Sequence, residues 1–466
     1  MTKLVLPLLA AAALAACHAG PTPAGAPAPL ASKAAPAQYA HPAWSRSAVI
    51  YEVNVRQYTP EGTFAAFERS LPRLKALGVD ILWFMPVQPI GKLNRKGSRG
   101  SYYSVKDYEA VNPEFGSLAD FKAVVDSAHA LGMKVILDWV PNHSAFDNAW
   151  ATQHPDWYLH RPDGTIMNAR DGNDRETDWT DVAELNYDSP GLRQAMIGAM
   201  RWWLDQTGID GFRCDVAGGV PYDFWVDART ALQAVRPGLF MLAEAEDPRM
   251  HVSFDMSYGW ELHHLLNEIA QGKQGPAALD AYFARQDSLY PRDAYRMYFT
   301  SNHDENSWNG TEFERMGANY ADAFVLAATV QNSMPLLYTG QEASFNRRLR
   351  FFEKDTVSWS GRSLADFYHA VFQLKHEEPA LANGALGGPQ VRLSTAGGDR
   401  VYAFTRTRGA NTVVVAVNFG DAAAAVTYTS LPRPGTYTDW FSRAAERLPA
   451  TGKLDVPAHG FRVLVH

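Results

Sequence analysis

Two textures of apolar and polar positions divide the chain. From about residue 48 to 383, short continuous runs such as VIYEVNV, DILWFMP, KVILD, IDGFRCD, LFMLAEA, YRMYFTS and MPLLYTG read as strands buried on both faces. Amphipathic stretches between them predict helices over residues 63–77, 118–131, 190–206, 224–235, 320–332 and 364–375, with less distinct elements over 254–287. Such alternation argues for a parallel sheet with helical crossovers, and its extent suits an α/β fold of the (β/α)₈ barrel type over residues 44–383. After the third strand, residues 141–188 lose periodicity and fill with Trp, Asp, Asn, His and Gly, which marks a small inserted domain. From residue 384 to 466 the runs VRLSTA, RVYAFTRT, NTVVVAVNF, AVTYTS and FRVLVH, separated by turn residues, predict a C-terminal antiparallel β-sandwich.

The N-terminus differs from both textures. Lys3, an apolar run over residues 4–16 and small residues before Cys17 read as a signal peptide over residues 1–17, too short to span a bilayer. The Leu-Ala-Ala-Cys ending resembles a bacterial lipobox, which implies lipidation at Cys17, export and a membrane-anchored lipoprotein on the periplasmic or cell-surface side; an ordinary signal peptide that happens to contain a cysteine is the alternative. Residues 18–43, rich in Pro, Ala and Gly, read as a tether.

Four carboxylates keep step with the barrel repeat. Asp138, Asp215, Glu244 and Asp304 stand where strands should end, and a βα unit takes roughly 30 residues. The intervals therefore amount to one unit plus the insertion, one unit, and two units. Acids so spaced can converge at the C-terminal mouth, where barrel active sites sit. Paired carboxyls suit glycoside cleavage, which needs one anionic and one protonated group against an oxocarbenium-like transition state. Arg213, two residues before Asp215 on a strand, shares its face and should keep Asp215 ionised. Glu244, among small and apolar residues, should be raised by desolvation and stay protonated. Glu246 shares its face, so a slip of one inward position would exchange the two. Cys214 should point the other way, into barrel–helix packing.

Composition narrows the substrate. A formal charge of −7 and a pI near 6.1 leave no basic footprint for nucleic acid. The 13 Trp and 20 Tyr supply flat faces with polar edges, as sugar clefts need, although core packing accounts for most of them. Two cysteines exclude a disulfide framework. The chain carries no HExxH, GxSxG or GxxxxGK[ST] motif.

With these residues in place, LDWVPNH, GFRCDV, MLAEAED and TSNHDEN resemble, in order, the four signature regions of the α-amylase family, glycoside hydrolase family thirteen. GVDILWFMPV, YYSVKDY, AELNY and PLLYTGQE resemble its secondary regions. The resemblance implies Asp215 as nucleophile, Glu244 as acid/base and Asp304 as the acid gripping sugar hydroxyls. It further implies substrate contacts from Tyr103, His143, Arg213 and His303, with Asp138 supporting the network. It implies an α-glucan polysaccharide or oligosaccharide substrate, cleaved at α-1,4 bonds with retention by double displacement. Neopullulanase or cyclomaltodextrinase, α-glucosidase and transglycosylase activities remain open, and a non-catalytic glycan-binding or accessory role is the alternative from another class. The resemblance also implies a structural Ca²⁺ held by Asn142 and Glu184, although Gly219 stands where a ligating histidine is usual.

Overall fold

A computed structural model describes residues 39–171, 175–393 and 395–466; Cys17, the signal-peptide reading and most of the tether lie outside them. Residues 39–43, expected within the tether, pack on the barrel. The Tyr39 hydroxyl meets Thr230 Oγ1 at 2.8 Å, and His41 stacks on Tyr295 at 4.1 Å while its Nδ1 contacts Asp255 Oδ1 at 2.9 Å. Among the described residues no helix is long and apolar enough to cross a membrane.

Eight parallel strands close the barrel: β1 (Ile50–Val53), β2 (Ile81–Phe84), β3 (Lys134–Trp139), β4 (Gly211–Cys214), β5 (Phe240–Ala243), β6 (Met256–Tyr258), β7 (Tyr295–Phe299) and β8 (Ser333–Tyr338). Each pairs with its neighbours in sequence, and β8 closes onto β1 through Ile50 opposite Leu336. The period of two along a strand separates two packed layers. Ile50, Ile81, Ile136, Phe240 and Met334 meet inside the barrel, whereas Tyr51, Leu82, Leu137, Phe212 and Met241 join the layer under the helices. Two residues beyond Ile50 and Ile136, the inward positions of β1 and β3 carry Glu52 and Asp138, and Asp138 lies in register with Arg213 of β4. Cys214 is fully buried and unpaired in the helix-facing layer, as its place beside Arg213 predicts.

The helix expected over residues 63–77 is two, Phe64–Glu68 and Leu71–Leu77, because Pro72 suits only a first turn and the helix restarts there. Residues 254–287 hold β6 and the helices Trp260–Ala270 and Ala278–Leu289. Among the described residues, the insertion carries one two-stranded antiparallel sheet, His143–Ala145 with Val182–Glu184, and isolated antiparallel bridges. Beyond the barrel, a six-stranded and a three-stranded antiparallel sheet enclose a core that includes Leu393, Val414, Val426, Leu454 and Leu464. Three strands absent from the sequence reading, Gly435–Asp439, Ala445–Leu448 and Gly452–Val456, are each exposed on one side and too poor in apolar residues to show as runs. Residues 390–396 split between the two sheets. The sandwich docks on the barrel through Arg406, which donates to Thr329 O at 3.1 Å and Val330 O at 2.9 Å.

Candidate active site

The strand ladders run one residue past their formal ends and set the acids at the mouth. Asp215 N–H donates to Trp139 O at 2.8 Å and Glu244 N–H to Cys214 O at 3.0 Å. Arg213, wholly buried, gathers the carboxylates. Its Nη1 donates to Asp138 Oδ1 and to Asp215 Oδ1, both at 2.9 Å, and its Nη2 forms an ion pair with Glu244 Oε1 at 2.7 Å. Tyr258 supports it from β6, accepting from Nε at 3.1 Å. A buried cation that answers three acids offsets the desolvation each would otherwise suffer.

Glu244 differs from the sequence expectation. Burial works to raise its carboxyl, but the Arg213 cation and the Val216 N–H, donating to Oε2 at 2.9 Å, outweigh it and leave Glu244 below the usual range. Asp215 is the group pushed well up, by burial and by the adjacent Glu244 carboxylate, against the pull of Arg213. The expected order of the two acids is therefore reversed in the free site. Arg213 reaches across to Glu244 as well as along its own strand, and the sequence spacing of Arg213 and Asp215 did not show that second contact. Val216 pays in strain for its donation: φ is +41°, a left-handed conformation that costs a β-branched residue about 1–3 kcal/mol.

Asp304 follows β7 and opens a single π-helical turn, Glu305–Asn309, a geometry frequent at functional sites. Its side chain is 37% exposed. Enclosure by the cavity walls raises its carboxyl, His303 opposes that rise, and the Glu244 carboxylate adds to it. His303 is held between Glu52, whose Oε1 lies 2.5 Å from Nδ1, and the Tyr103 hydroxyl, 2.7 Å from Nε2. Burial lowers its pKa, but the Asp304 and Glu52 carboxylates more than compensate and carry it to about 9. His143 goes the other way, lowered by burial to about 4, so it is neutral, with Nε2 at 3.9 Å from Asp215 Oδ2. Asp138 is buried and accepts from the Tyr103 hydroxyl at 3.0 Å and Trp83 Nε1 at 3.2 Å.

The seven residues Tyr103, Asp138, His143, Arg213, Asp215, Glu244 and Asp304 thus meet with His303 in one place. All but Asp138 and Arg213, which lie beneath, line a cavity of about 1480 Å³. Glu246 sits on its rim, paired with Arg296 at 2.7 Å. His263 is buried against Glu305 at 3.1 Å. Sequence reasoning missed Glu52, Trp83 and Tyr258, whose only signal is a polar-edged residue at an inward position of an apolar strand. It also missed the aromatic wall formed by Trp179, Trp260, Trp308, Phe351 and Phe352. For Trp308 the available signal was its place four residues after Asp304.

The residues matched to calcium do not fit that ion as arranged. Asn142 Nδ2 donates to Arg170 O at 3.0 Å and to Glu184 Oε2 at 3.4 Å, so an amide N–H occupies the point where these oxygens converge. Glu184 also accepts from Arg170 N at 2.8 Å and pairs with Arg170 Nε at 3.2 Å. Ca²⁺ needs oxygen lone pairs and uncompensated negative charge, whereas this carboxylate already faces a guanidinium. At Gly219 a Cβ would come within 2.4 Å of Asn142 Oδ1, so the space of the missing histidine is taken.

Residues 56–370 match the family described as "Alpha amylase, catalytic domain", and residues 394–462 match "Alpha amylase, C-terminal all-beta domain". The chain belongs to the α-amylase family. Alpha-amylase MalA of Haloarcula japonica is 30% identical over 408 residues, 83% of this chain and 58% of that protein. Alpha-1,4-glucan:maltose-1-phosphate maltosyltransferase 1 of Streptomyces coelicolor is 26% identical over 439 residues, 85% of this chain and 61% of its own length. The chain thus spans about three fifths of these curated relatives. Two solved structures are matched over nearly their whole length. The noncanonic maltogenic alpha-amylase AmyB of Thermotoga neapolitana has a TM-score of 0.81 at 28% identity, covering 90% of this chain and 98% of that one. An alpha-amylase of Lactobacillus plantarum has a TM-score of 0.81 at 30% identity, covering 91% and 99%.

Proposed function

We propose that this α-amylase family member is a retaining hydrolase of α-1,4-glucans, with Asp215 as nucleophile and Glu244 as acid/base. The observation that carries the reading is the shared position of these two carboxyls. Asp215 Oδ1 and Glu244 Oε1 stand on the two terminal nitrogens of one guanidinium, 2.9 Å and 2.7 Å away. Two carboxyls gathered on one guanidinium suit the close pair, ~5–5.5 Å apart, of retaining enzymes better than the ~6.5–9.5 Å spacing of inverting ones.

In this reading the pair holds one proton between them. A glycosidic oxygen entering beside Glu244 accepts a hydrogen bond from the neutral acid and so draws the proton from Asp215 to Glu244. Asp215, left anionic beside Arg213, attacks the anomeric carbon while Glu244 protonates the leaving oxygen. Glu244, then a carboxylate, takes a proton from water in the second displacement. Protonated His303 and anionic Asp304 bind hydroxyls of the sugar that is being cleaved, and neutral His143 accepts or donates beside Asp215.

The charge of the cavity favours a neutral donor over a phosphorylated one. Among the described residues, Lys96, Arg249 and protonated His303 are the cations that line it; Lys96 pairs with Asp181 at 3.3 Å, Arg249 with Asp247 at 2.6 Å, and His303 with Glu52 at 2.5 Å and Asp304 at 3.4 Å. Each of the three already faces a carboxylate, and acids outnumber them in the wall. The test is incubation with maltoheptaose and, separately, with maltose 1-phosphate plus maltoheptaose, following product size and anomeric configuration by NMR. Hydrolysis giving α-anomers first is expected. Release of β-anomers, or turnover only in the presence of the phosphorylated donor, would overturn the reading.

A further inference from the structure

The two parts of a bound glucan lie on opposite sides of the mouth. Glu244 protonates the leaving oxygen, so the leaving chain runs out past β5 and the glycone runs the other way. In the ring of eight strands, β1 stands opposite β5. The glycone therefore heads for the segments that follow β8, β1 and β2, where Tyr103, Phe351 and Phe352 line the cavity.

Residues 91–100, between β2 and Tyr103, hold neither helix nor strand, yet they are fastened on three sides. Toward the insertion, Lys92 N–H donates to Asp147 Oδ2 at 3.0 Å, and Lys96 Nζ pairs with Asp181 Oδ1 at 3.3 Å. Toward the segment after β8, Arg99 N–H donates to Phe352 O at 2.9 Å and Ser98 N–H to Glu353 Oε1 at 3.0 Å. From beneath, the buried Arg56 guanidinium, just after β1, donates to Gly100 O at 3.0 Å and to Phe351 O at 3.4 Å. Gly97, at φ +60°, permits the close approach, since a Cβ there would lie 2.6 Å from Phe352 Cβ.

These bonds join the segments after β8, β1 and β2 to the insertion in one continuous rim. Core packing does not account for the order of residues 91–100, because their one apolar side chain, Leu93, is 54% exposed. The leaving side is built otherwise. Among the described residues, no hydrogen bond or ion pair joins residues 245–249, beside Glu244, to residues 176–182 of the insertion. We infer that residues 91–100 form a barrier that closes the glycone end of the cleft, so that linear α-glucans are cleaved from their free non-reducing end. A glycone is accepted only if it is short enough to end between Asp215 and the barrier, and a ring-closed or end-blocked chain cannot thread past it. The inference rests on the α-glucan hydrolase reading above.

The test compares maltoheptaose with maltoheptaose blocked at its non-reducing end by a 4,6-O-ethylidene group, and with β-cyclodextrin, which has no end, following products by chromatography. The parent should cleave the blocked chain and β-cyclodextrin about tenfold or more slower than the open chain, and release one short product from the start. The double variant Lys96→Ala/Glu353→Ala loosens the barrier from the insertion and from the segment after β8. Its ratio of blocked to open rates should rise about threefold or more above the parent's. Should the double variant fail to fold, the parent's ratio decides alone. Comparable parent rates on the blocked and open chains, or on β-cyclodextrin and the open chain, overturn the inference, as does an unchanged ratio in a folded double variant. A parent that cleaves none of the three instead defeats the α-glucan reading, and this inference with it.

Discussion

Glu52→Gln isolates one piece of the electrostatics. Glu52 is fully buried and lies 2.5 Å from Nδ1 of His303, whose pKa rises from 6.5 to about 9 in the fold. At ~1.36 kcal/mol per pH unit, that gap stabilises the protonated folded form by about 3 kcal/mol. Asp304 and Glu52 share the effect, so neutralising Glu52 should remove roughly half, about 1–2 kcal/mol. The sign follows from the raised pKa. The stabilisation is fully present below 6.5, where the unfolded histidine is also protonated, and is lost as pH rises through about 9. Removing the buried carboxylate also relieves the desolvation that raises its own pKa against the pull of His303. The signature is therefore the pH dependence. Thermal denaturation should show a larger gap between parent and variant at pH 6.5 than at pH 9.5. The alkaline limb of kcat/KM on a chromogenic maltooligosaccharide should move down by about one pH unit, as His303 loses its proton earlier. A stability gap equal at both pH values, with an unmoved alkaline limb, would refute the argument and leave Glu52 as packing.

The remaining predictions concern the acids and the calcium that the family resemblance implies. Asp215→Asn should lower turnover by about 10³-fold or more, because the covalent step is lost. Its melting temperature should hold or rise, since a raised buried carboxyl is removed while Arg213 keeps Asp138 and Glu244; activity within roughly tenfold of the parent would sink the assignment. Glu244→Gln should cripple cleavage of unactivated maltooligosaccharides yet spare the first step with activated aryl glycosides, while Glu246→Gln, on the rim, should cost far less; the reverse pattern would exchange their roles. Because an Asn142 N–H fills the point of convergence with Glu184, melting curves with chelator and with millimolar calcium should coincide; a rise with calcium would show the amide turned over, with Oδ1 facing an ion.

Much of the barrel and the identity of its acids were legible because both obey periods. Continuous apolar runs mark strands covered on two faces, and Asp138, Asp215, Glu244 and Asp304 recur with the βα unit that returns the chain to the mouth. A period of two was enough to turn Arg213 inward and Cys214 outward. The weakly apolar strands of the sandwich escaped because one side of each meets solvent and carries no run. Tertiary structure alone decided which charge answers which. Glu52 and His303 are 251 residues apart, and no local pattern reports that β1 and the end of β7 bring them into contact. The same holds for the reach of Arg213 to Glu244, which reversed the order of the two acids, and for Arg170 beside Glu184. Spacing along the chain determines the face on which a side chain lies, because backbone geometry is local. A carboxyl's proton depends on the sum of burial and every charge within a few ångströms, and closure of the barrel sets that sum.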